Sequence, residues 1–414
     1  MNRLVLIGNG FDLAHGLKTS YADFIDWYWE QWGARLLACR KREDSDVFCS
    51  FTLKGQEGLS FRSMIERKLA SPYAEIPKYV IKQAKEDRSL CRFQMRSPLF
   101  EQICKSYETK KWVDIENEYY ELLTKCALEN YKITTVEELN KHLNYLQEKL
   151  IEYLNIVNKT DIQPIASIGG AIYSPFKKQD ISIAGQDALI EHIIADLGLP
   201  DDEWRKKLYN YCFTGANIDV IKKFREDIGP NTRDFDTEEA PEVLRLPKQI
   251  MFLNFNYTNT VEKYNYKWAG YIINQIHGKL DMPESIIFGY GDEMDENYKR
   301  LEKKNDNRCL TNIKSIKYLE TSSYRKVLSF IESEPYQILI MGHSCGNSDR
   351  TLLNTLFEHR NCVSVKPYYY INEKGEDNYL ELAQNISRNF KDTQLMRDRV
   401  VNKEYCEPLT DCRR

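Results

Sequence analysis

Four apolar residues, Leu4–Ile7, run straight into Gly8-Asn9-Gly10, and an amphipathic segment follows. This succession of textures predicts a buried parallel strand, a tight glycine turn and a helix start. Glycine at 8 and 10 permits positive φ and a close backbone approach to a ligand. The helix start offers unpaired N–H groups and a positive dipole end, suited to a phosphate. A dinucleotide fingerprint, however, wants glycine where Leu13 stands, and the next glycine is Gly16. The local pattern leaves a structural βα turn and a nucleotide site both open.

Residues 21–37 are helical in pattern and aromatic-rich, with Phe24, Trp27, Tyr28, Trp29 and Trp32. They predict a helix packed on the sheet, or an aromatic lining for a base. From about residue 40 to 240 strand signals are scarce and helical spacing dominates. The clearest helix is 134–157, opened by a Thr134/Glu137 capping box. Its heptad-like seam runs through Val136, Leu139, Leu143, Leu146, Leu150, Tyr153 and Val157. Such a seam packs on a neighbouring helix or on a second copy of the chain. A further helix, 111–131, carries Trp112, Val113, Asp114, Ile115 and Glu116; its acids lie two apart and read as a solvated face. The run Gly229–Pro247 reads as the exit loop of this helical region.

After residue 247 short apolar runs return at Ile250–Phe255, Tyr271–Ile276, Ile286–Phe288, Tyr336–Met341 and Cys362–Ile371, several separated by helical segments. Alternating strands and helices predict a parallel sheet covered on both faces. The N-terminal strand lacks partners of its own and must join this sheet. The expected fold is therefore α/β, a Rossmann-like sheet interrupted by a large all-helical insertion. Its parts are residues 1–38, the insertion 39–245, and the remainder 246–414.

Composition narrows the classes. A chain of 414 residues has room for about two to three domain-sized units. Apolar residues at 42% support a core, and a net charge of -4 gives no basic footprint for nucleic acid. No apolar run approaches membrane-spanning length, and the N-terminal run is too short for a signal peptide. The eleven cysteines include no C-x-x-C pair, which excludes zinc ribbons and dithiol motifs and fits a reducing cytoplasm.

In open α/β sheets, ligands bind outside the carboxyl ends of the strands. Three later strand ends are polar. Asn254-Phe255-Asn256-Tyr257-Thr258-Asn259-Thr260 could meet a sugar hydroxyl or a water, or form an Asx turn. Ile276-His277-Gly278 places a histidine where strand becomes loop, with a glycine that lets something approach. Met341 to Asp349, MGHSCGNSD, imitates a nucleophile elbow around Ser344. An elbow needs a histidine further on, and the one that follows, His359, falls on the same predicted helix.

Together these residues resemble known families. Gly8, Gly10 and Gly16, followed by Leu17 and Thr19, are similar to the first loop of the sirtuin fold. FNYTNTVE resembles the strand end that carries the working asparagine of sirtuin-like NAD hydrolases, which falls on Asn256. IHG resembles their histidine-glycine pair, on His277, and GHSCGNSD their late loop over the nucleotide. More closely, IGNGFDLAHGLKTSYADF with WVDIE, NFNYT, IHGKL and GHSCGNSD resembles the AbiH family of bacterial abortive-infection proteins. The chain departs from the sirtuin pattern in lacking the zinc ribbon, in Thr258 where many NAD hydrolases carry Asp, and in Asp12.

The resemblance implies an antiphage protein with a nucleotide site that hydrolyses NAD at the nicotinamide–ribose bond. Catalysis would fall to Asn256 and His277. Binding would fall to Gly8, Asn9, Gly10, Phe11, Asp12, Thr19, Tyr257, Thr258, Gly342, His343, Ser344 and Asp349. No metal, membrane or nucleic acid is expected; a phage-derived trigger and a homo-oligomer through the insertion are. The alternatives are a nucleotide-sensing module without turnover, and a metal-dependent nuclease using Asp12 and Asp292.

Overall fold

A computed structural model describes residues 1–38, 43–54, 91–110, 114–129, 131–210, 218–229, 233–265 and 270–410, with Val80, Lys82, Ala84 and Glu86 besides. The chain divides into two compact units. The first comprises Met1–Leu17, Thr160–Ile287 and Ser315–Arg414; the second comprises Lys18–Lys159 and Phe288–Lys314. Residues 160–245 thus fall in the unit of the sheet, and 288–314 in the other unit. The strands are β1 (Asn2–Ile7), β2 (Glu43–Ser45), β3 (Cys49–Leu53), β4 (Cys91–Met95), β5 (Ile250–Asn254), β6 (Tyr271–Gln275), β7 (Tyr336–Met341) and β8 (Cys362–Tyr368).

In the first unit five parallel strands lie in the order β6-β5-β1-β7-β8. The N-terminal strand joins the later ones, as its lack of local partners requires, and takes the centre. β1, β5 and β7 are buried along their whole length, which is why they read as unbroken apolar runs. Alternate residues serve opposite faces. Leu4, Leu6, Leu253, Ile338 and Ile340 meet the helices Ser323–Ser333, Arg350–Glu358 and Tyr379–Arg388. Val5, Ile7, Phe252, Leu339 and Met341 meet the helix Ala166–Ile172 and the turn of Val261 and Tyr264. Both faces are covered, as predicted.

Several expectations fail. Ile286–Phe288 is buried loop rather than strand, and Ile287 N–H donates to the His277 carbonyl at 2.9 Å. The run toward Pro247 is not a plain exit loop: Val243, Leu244 and Leu246 are fully buried in an apolar cluster with Trp204 and Leu189.

The second unit is not all-helical. Strands β2, β3 and β4 form a three-stranded antiparallel sheet that the polar, short-stranded sequence concealed. The aromatic helix α2 (Tyr21–Ala38) packs on this sheet and on Pro98–Lys110. Trp32 meets Phe51 and Phe93, and Tyr28 meets Phe48 and Phe100. The long helix is Val136–Val157, and its capping box is Thr135 with Glu138, one residue later than predicted. Its seam, Leu139 through Val157, is buried against α2, Pro98–Lys110 and Ile115–Leu128 of the same unit. A second copy would need a different surface.

The acids of 111–131 are not a solvated face either. Asp114 caps the helix Ile115–Leu128 through the Asn117 amide. Glu116 is buried and pairs with buried Lys314 at 2.8 Å. Trp112 and Val113 lie outside the described residues.

Candidate functional site at the carboxyl edge of the sheet

Register brings the motifs together. Ile7 stands opposite Asn254 on one side and Met341 on the other, and Asn254 opposite Gln275. The ladder runs one step further: Phe255 N–H donates to Ile7 O at 2.9 Å, Ile276 N–H to Asn254 O at 3.0 Å, and Gly8 N–H to Met341 O at 3.2 Å. The polar segments after four strands therefore begin at one level. From β1 the chain continues to β5 and β6 on one side, then to β7 and β8 on the other. Such a reversal is where open α/β sheets place their ligands.

The glycines act differently from expectation. Gly8 has φ -123°, and neither it nor Gly10 takes positive φ. Their hydrogens are required by close packing of backbone on backbone. A Cβ on Gly8 would run into the Cα of His343, and one on Gly10 would lie 2.9 Å from Gly342 Cα. Gly342 does take positive φ, at 76°, and a side chain there would overlap the Phe11 nitrogen. Gly10 N–H donates to Gly342 O at 2.8 Å and Phe11 N–H to Gly8 O at 2.9 Å. The amides of Gly8, Gly10 and Phe11 are thus spent within the fold. The helix α1 (Asn9–Ala14) is short, and Phe11 is a core residue against Tyr264. Gly278 likewise has positive φ to admit the Ser285 carbonyl, not a ligand.

Asp12, on α1, is fully buried, with an exposure of 1%. Thr258 Oγ1 donates to its Oδ2 at 2.6 Å, and Thr260 Oγ1 lies 3.4 Å from Thr258 Oγ1. Burial pushes the carboxyl from 3.8 up to about 6, against the pull of Thr258, Thr260 and Asn256. Asp12 and Thr258 thus tie the β1 loop to the β5 loop. Asn256 adds a second tie, its Nδ2 donating to Gly8 O at 2.9 Å. The Asx turn belongs to Asn254, whose Oδ1 accepts from Asn256 N–H and whose Nδ2 donates to Thr258 O.

A second cluster joins the β6 and β7 loops. Asp349 Oδ1 lies 3.2 Å from His277 Nε2, and its Oδ2 lies 3.6 Å from His343 Nε2. An ionised carboxylate only accepts, so the 3.2 Å contact places the proton of His277 on Nε2. His343 agrees, since its Nδ1 accepts from Cys345 N–H at 2.9 Å. The basic nitrogen of neutral His277 is then Nδ1. Phe255 packs edge-on against both rings. The turn behind is strained. Cys345 takes φ 54°, unusual for a side-chain-bearing residue, and is held there by the His343 contact and by Asn389 Nδ2 on its carbonyl.

The remaining candidates differ in access. Asn9 and Ser344 are exposed, Asn256 and Tyr257 half-buried, and Tyr257 donates its hydroxyl to Ile287 O. Thr19 is buried and belongs to the second unit. Ser344 follows the end of β7, whereas His359 packs on Tyr336 at the start of that strand. A six-residue strand spans about 20 Å, so no Ser-His pair forms. Among the described residues no group of three or more His, Cys, Asp or Glu is arranged to hold a metal ion. Sequence reasoning missed Tyr318, whose hydroxyl lies 3.1 Å from His277 Nε2. Nothing in the sequence around Tyr318 singles it out.

A family model described as bacteriophage abortive infection AbiH matches residues 4–370. The chain belongs to the AbiH family. The match spans the glycine loop, Asn256, His277 and Asp349, so both clusters of this AbiH protein lie within the family's own extent. The family suggests a part in antiphage abortive infection. No curated protein and no solved structure matches the chain. Among the described residues no helix is long and apolar enough to cross a membrane.

Proposed function

We propose that this AbiH protein defends cells against phage by taking a nucleotide, NAD, as substrate at the carboxyl edge of the sheet, in a sirtuin-like site, and hydrolysing its nicotinamide–ribose bond. The observation that supports this reading most is the contact of His277 with Asp349, on the strand end next to Asn256. Loss of nicotinamide leaves an oxocarbenium-like ribose cation, to which water adds. Asn256 spends its amide nitrogen on Gly8 O, so its oxygen orients the attacking water or a ribose hydroxyl. His277 takes the proton of that water at Nδ1, with Asp349 holding the ring as the acid of a catalytic triad does.

The pyrophosphate and ribose lie over the glycine loop and the Gly342–Ser344 turn. With three loop amides spent, exposed Asn9 and Ser344 supply polar contact there. Asp12 and Thr258 keep the two loops in register. Tyr257 completes the binding set on this unit. A phage-derived trigger starts the reaction, and depletion of NAD in the cytoplasm aborts infection. The test is incubation of purified protein with NAD, with and without phage extract, comparing Asn256→Ala and His277→Ala. Unchanged NAD throughout, from a protein that still protects cells, sinks the hydrolase reading.

A second reading, a nucleotide sensor without turnover that acts through its helical unit or a partner, draws on the burial of His277, which is 5% exposed. Saturable NAD binding without product distinguishes it.

A further inference from the structure

The two edges of the parallel sheet end differently. At the β8 edge the chain supplies its own partners. Ser182 N–H donates to Val363 O at 2.8 Å, Val401 N–H to Val365 O at 3.0 Å, and Leu409 N–H to Tyr369 O at 2.8 Å. Pro367 also stands in that strand and lacks an N–H to offer. Covering segments, prolines and charges are the devices that keep a sheet edge from pairing with another chain. β6, at the other edge, shows none of them among the described residues. Its sequence, Tyr271-Ile272-Ile273-Asn274-Gln275, holds no charge and no proline.

Register shows what β6 leaves open. Ile250 N–H donates to Gly270 O at 3.2 Å, and Ile276 N–H to Asn254 O at 3.0 Å. Between these two bonds the parallel ladder turns the N–H and C=O of Ile272 and Asn274 toward β5. Those of Tyr271 and Ile273 point the other way. Among the described residues neither backbone finds a hydrogen-bond partner on that side. The side chains of Tyr271, Ile272 and Ile273 are half-buried, packed in alternation on the two faces of the sheet.

We propose that β6 is a dimerisation edge, paired antiparallel with β6 of a second copy of the chain. A two-fold axis beside Ile272 sets Tyr271 of each copy opposite Ile273 of the other. Residues so opposed exchange both of their N–H···O bonds, so every open donor and acceptor of Tyr271 and Ile273 is used. Tyr271 packs on Ile273, an aromatic ring on a β-branched side chain, and Ile272 meets its own copy. A two-fold contact brings any charge near its axis against its like, and β6 has none to repel. A foreign strand finds no charged side chain on β6 to select it. A strand of five residues is a small contact beside the about 1,600 Å² of a standard interface. The dimer therefore exchanges with monomer, with a dissociation constant on the order of 10 µM. The proposal does not depend on the NAD reading.

The test is sedimentation velocity of the full chain from about 1 to about 200 µM. Wild type is expected to pass from monomer to dimer across this range. Tyr271→Pro removes an N–H that donates to nothing in the chain, at the first position of an edge strand, where proline is tolerated. It is expected to fold and to dimerise at least about ten-fold more weakly. Tyr271→Lys, which adds an edge charge, is expected to do the same. Ile272→Cys reports the register. Across a non-hydrogen-bonded pair the Cα atoms lie about 4.5 Å apart, within disulfide reach. Oxidation is expected to link two copies of Ile272→Cys and to leave wild type and Ile273→Cys unlinked. A chain that stays monomeric throughout leaves the edge to a strand of another protein and overturns the proposal. So does a dimer that both folded Tyr271 variants retain, or one that Ile273→Cys links as readily as Ile272→Cys.

Discussion

Asp12→Asn isolates the buried carboxylate that ties the β1 and β5 loops. The substitution removes the charge and keeps an oxygen to accept from Thr258 Oγ1. In the fold the carboxyl titrates near 6, against 3.8 in the ordinary case. The folded state therefore binds the proton more tightly than the unfolded chain. At low pH both states are neutral and Asp12 costs nothing. As pH rises, the unfolded chain ionises first and gains, and above the folded value the full penalty stands, about 3 kcal/mol. Asparagine mimics the neutral form at every pH. Its advantage over wild type is thus expected to grow by about 1.4 kcal/mol between pH 5 and pH 8. In a unit of this size that widens the difference in melting temperature by about 3–5 °C. Thermal melts of both proteins at four pH values across this range make the measurement. A difference that stays constant, or that narrows as pH rises, refutes the buried-charge argument.

Four further outcomes follow from the same contacts. Thr258→Val removes a donor that lowers the Asp12 value, so the pH at which wild-type stability changes should move up, read from the same melts. Gly342→Ala should destabilise by about 2 kcal/mol or more, since it strains positive φ and meets Phe11 N, while Gly16→Ala, with φ 79° and open space, should cost about 1 kcal/mol; urea titration separates them. Glu116→Leu or Lys314→Met alone should cost about 3–5 kcal/mol, and the pair Glu116→Leu/Lys314→Met much less than their sum, in a double-mutant cycle. Leu143→Ala, in the buried seam of Val136–Val157, should cost about 2–5 kcal/mol without changing the oligomeric state by light scattering.

What sequence disclosed was periodicity. Leu4–Ile7, Ile250–Asn254 and Tyr336–Met341 announce themselves as parallel strands because both of their faces are buried, so the apolar run is unbroken. The convergence of Gly8, Asn256, His277 and Gly342 followed from one rule about strand ends. Strands β2–β4 were hidden because they are short and carry polar residues such as Glu43, Ser45 and Arg92. Glu116 looked like a surface acid because its partner Lys314 is 198 residues away. The glycine loop was misjudged for a similar reason: what crowds Gly8 and Gly10 is the turn after β7, which local sequence does not contain.

In the proposed reaction the carboxyl edge of the sheet cleaves NAD. The most direct measurement is release of nicotinamide and ADP-ribose from NAD by purified protein, with and without extract of phage-infected cells. Wild type is expected to release both in equal amounts, and Asn256→Ala and His277→Ala, folded by circular dichroism, to release neither. NAD left intact under every condition by a protein that still protects cells from phage contradicts the account.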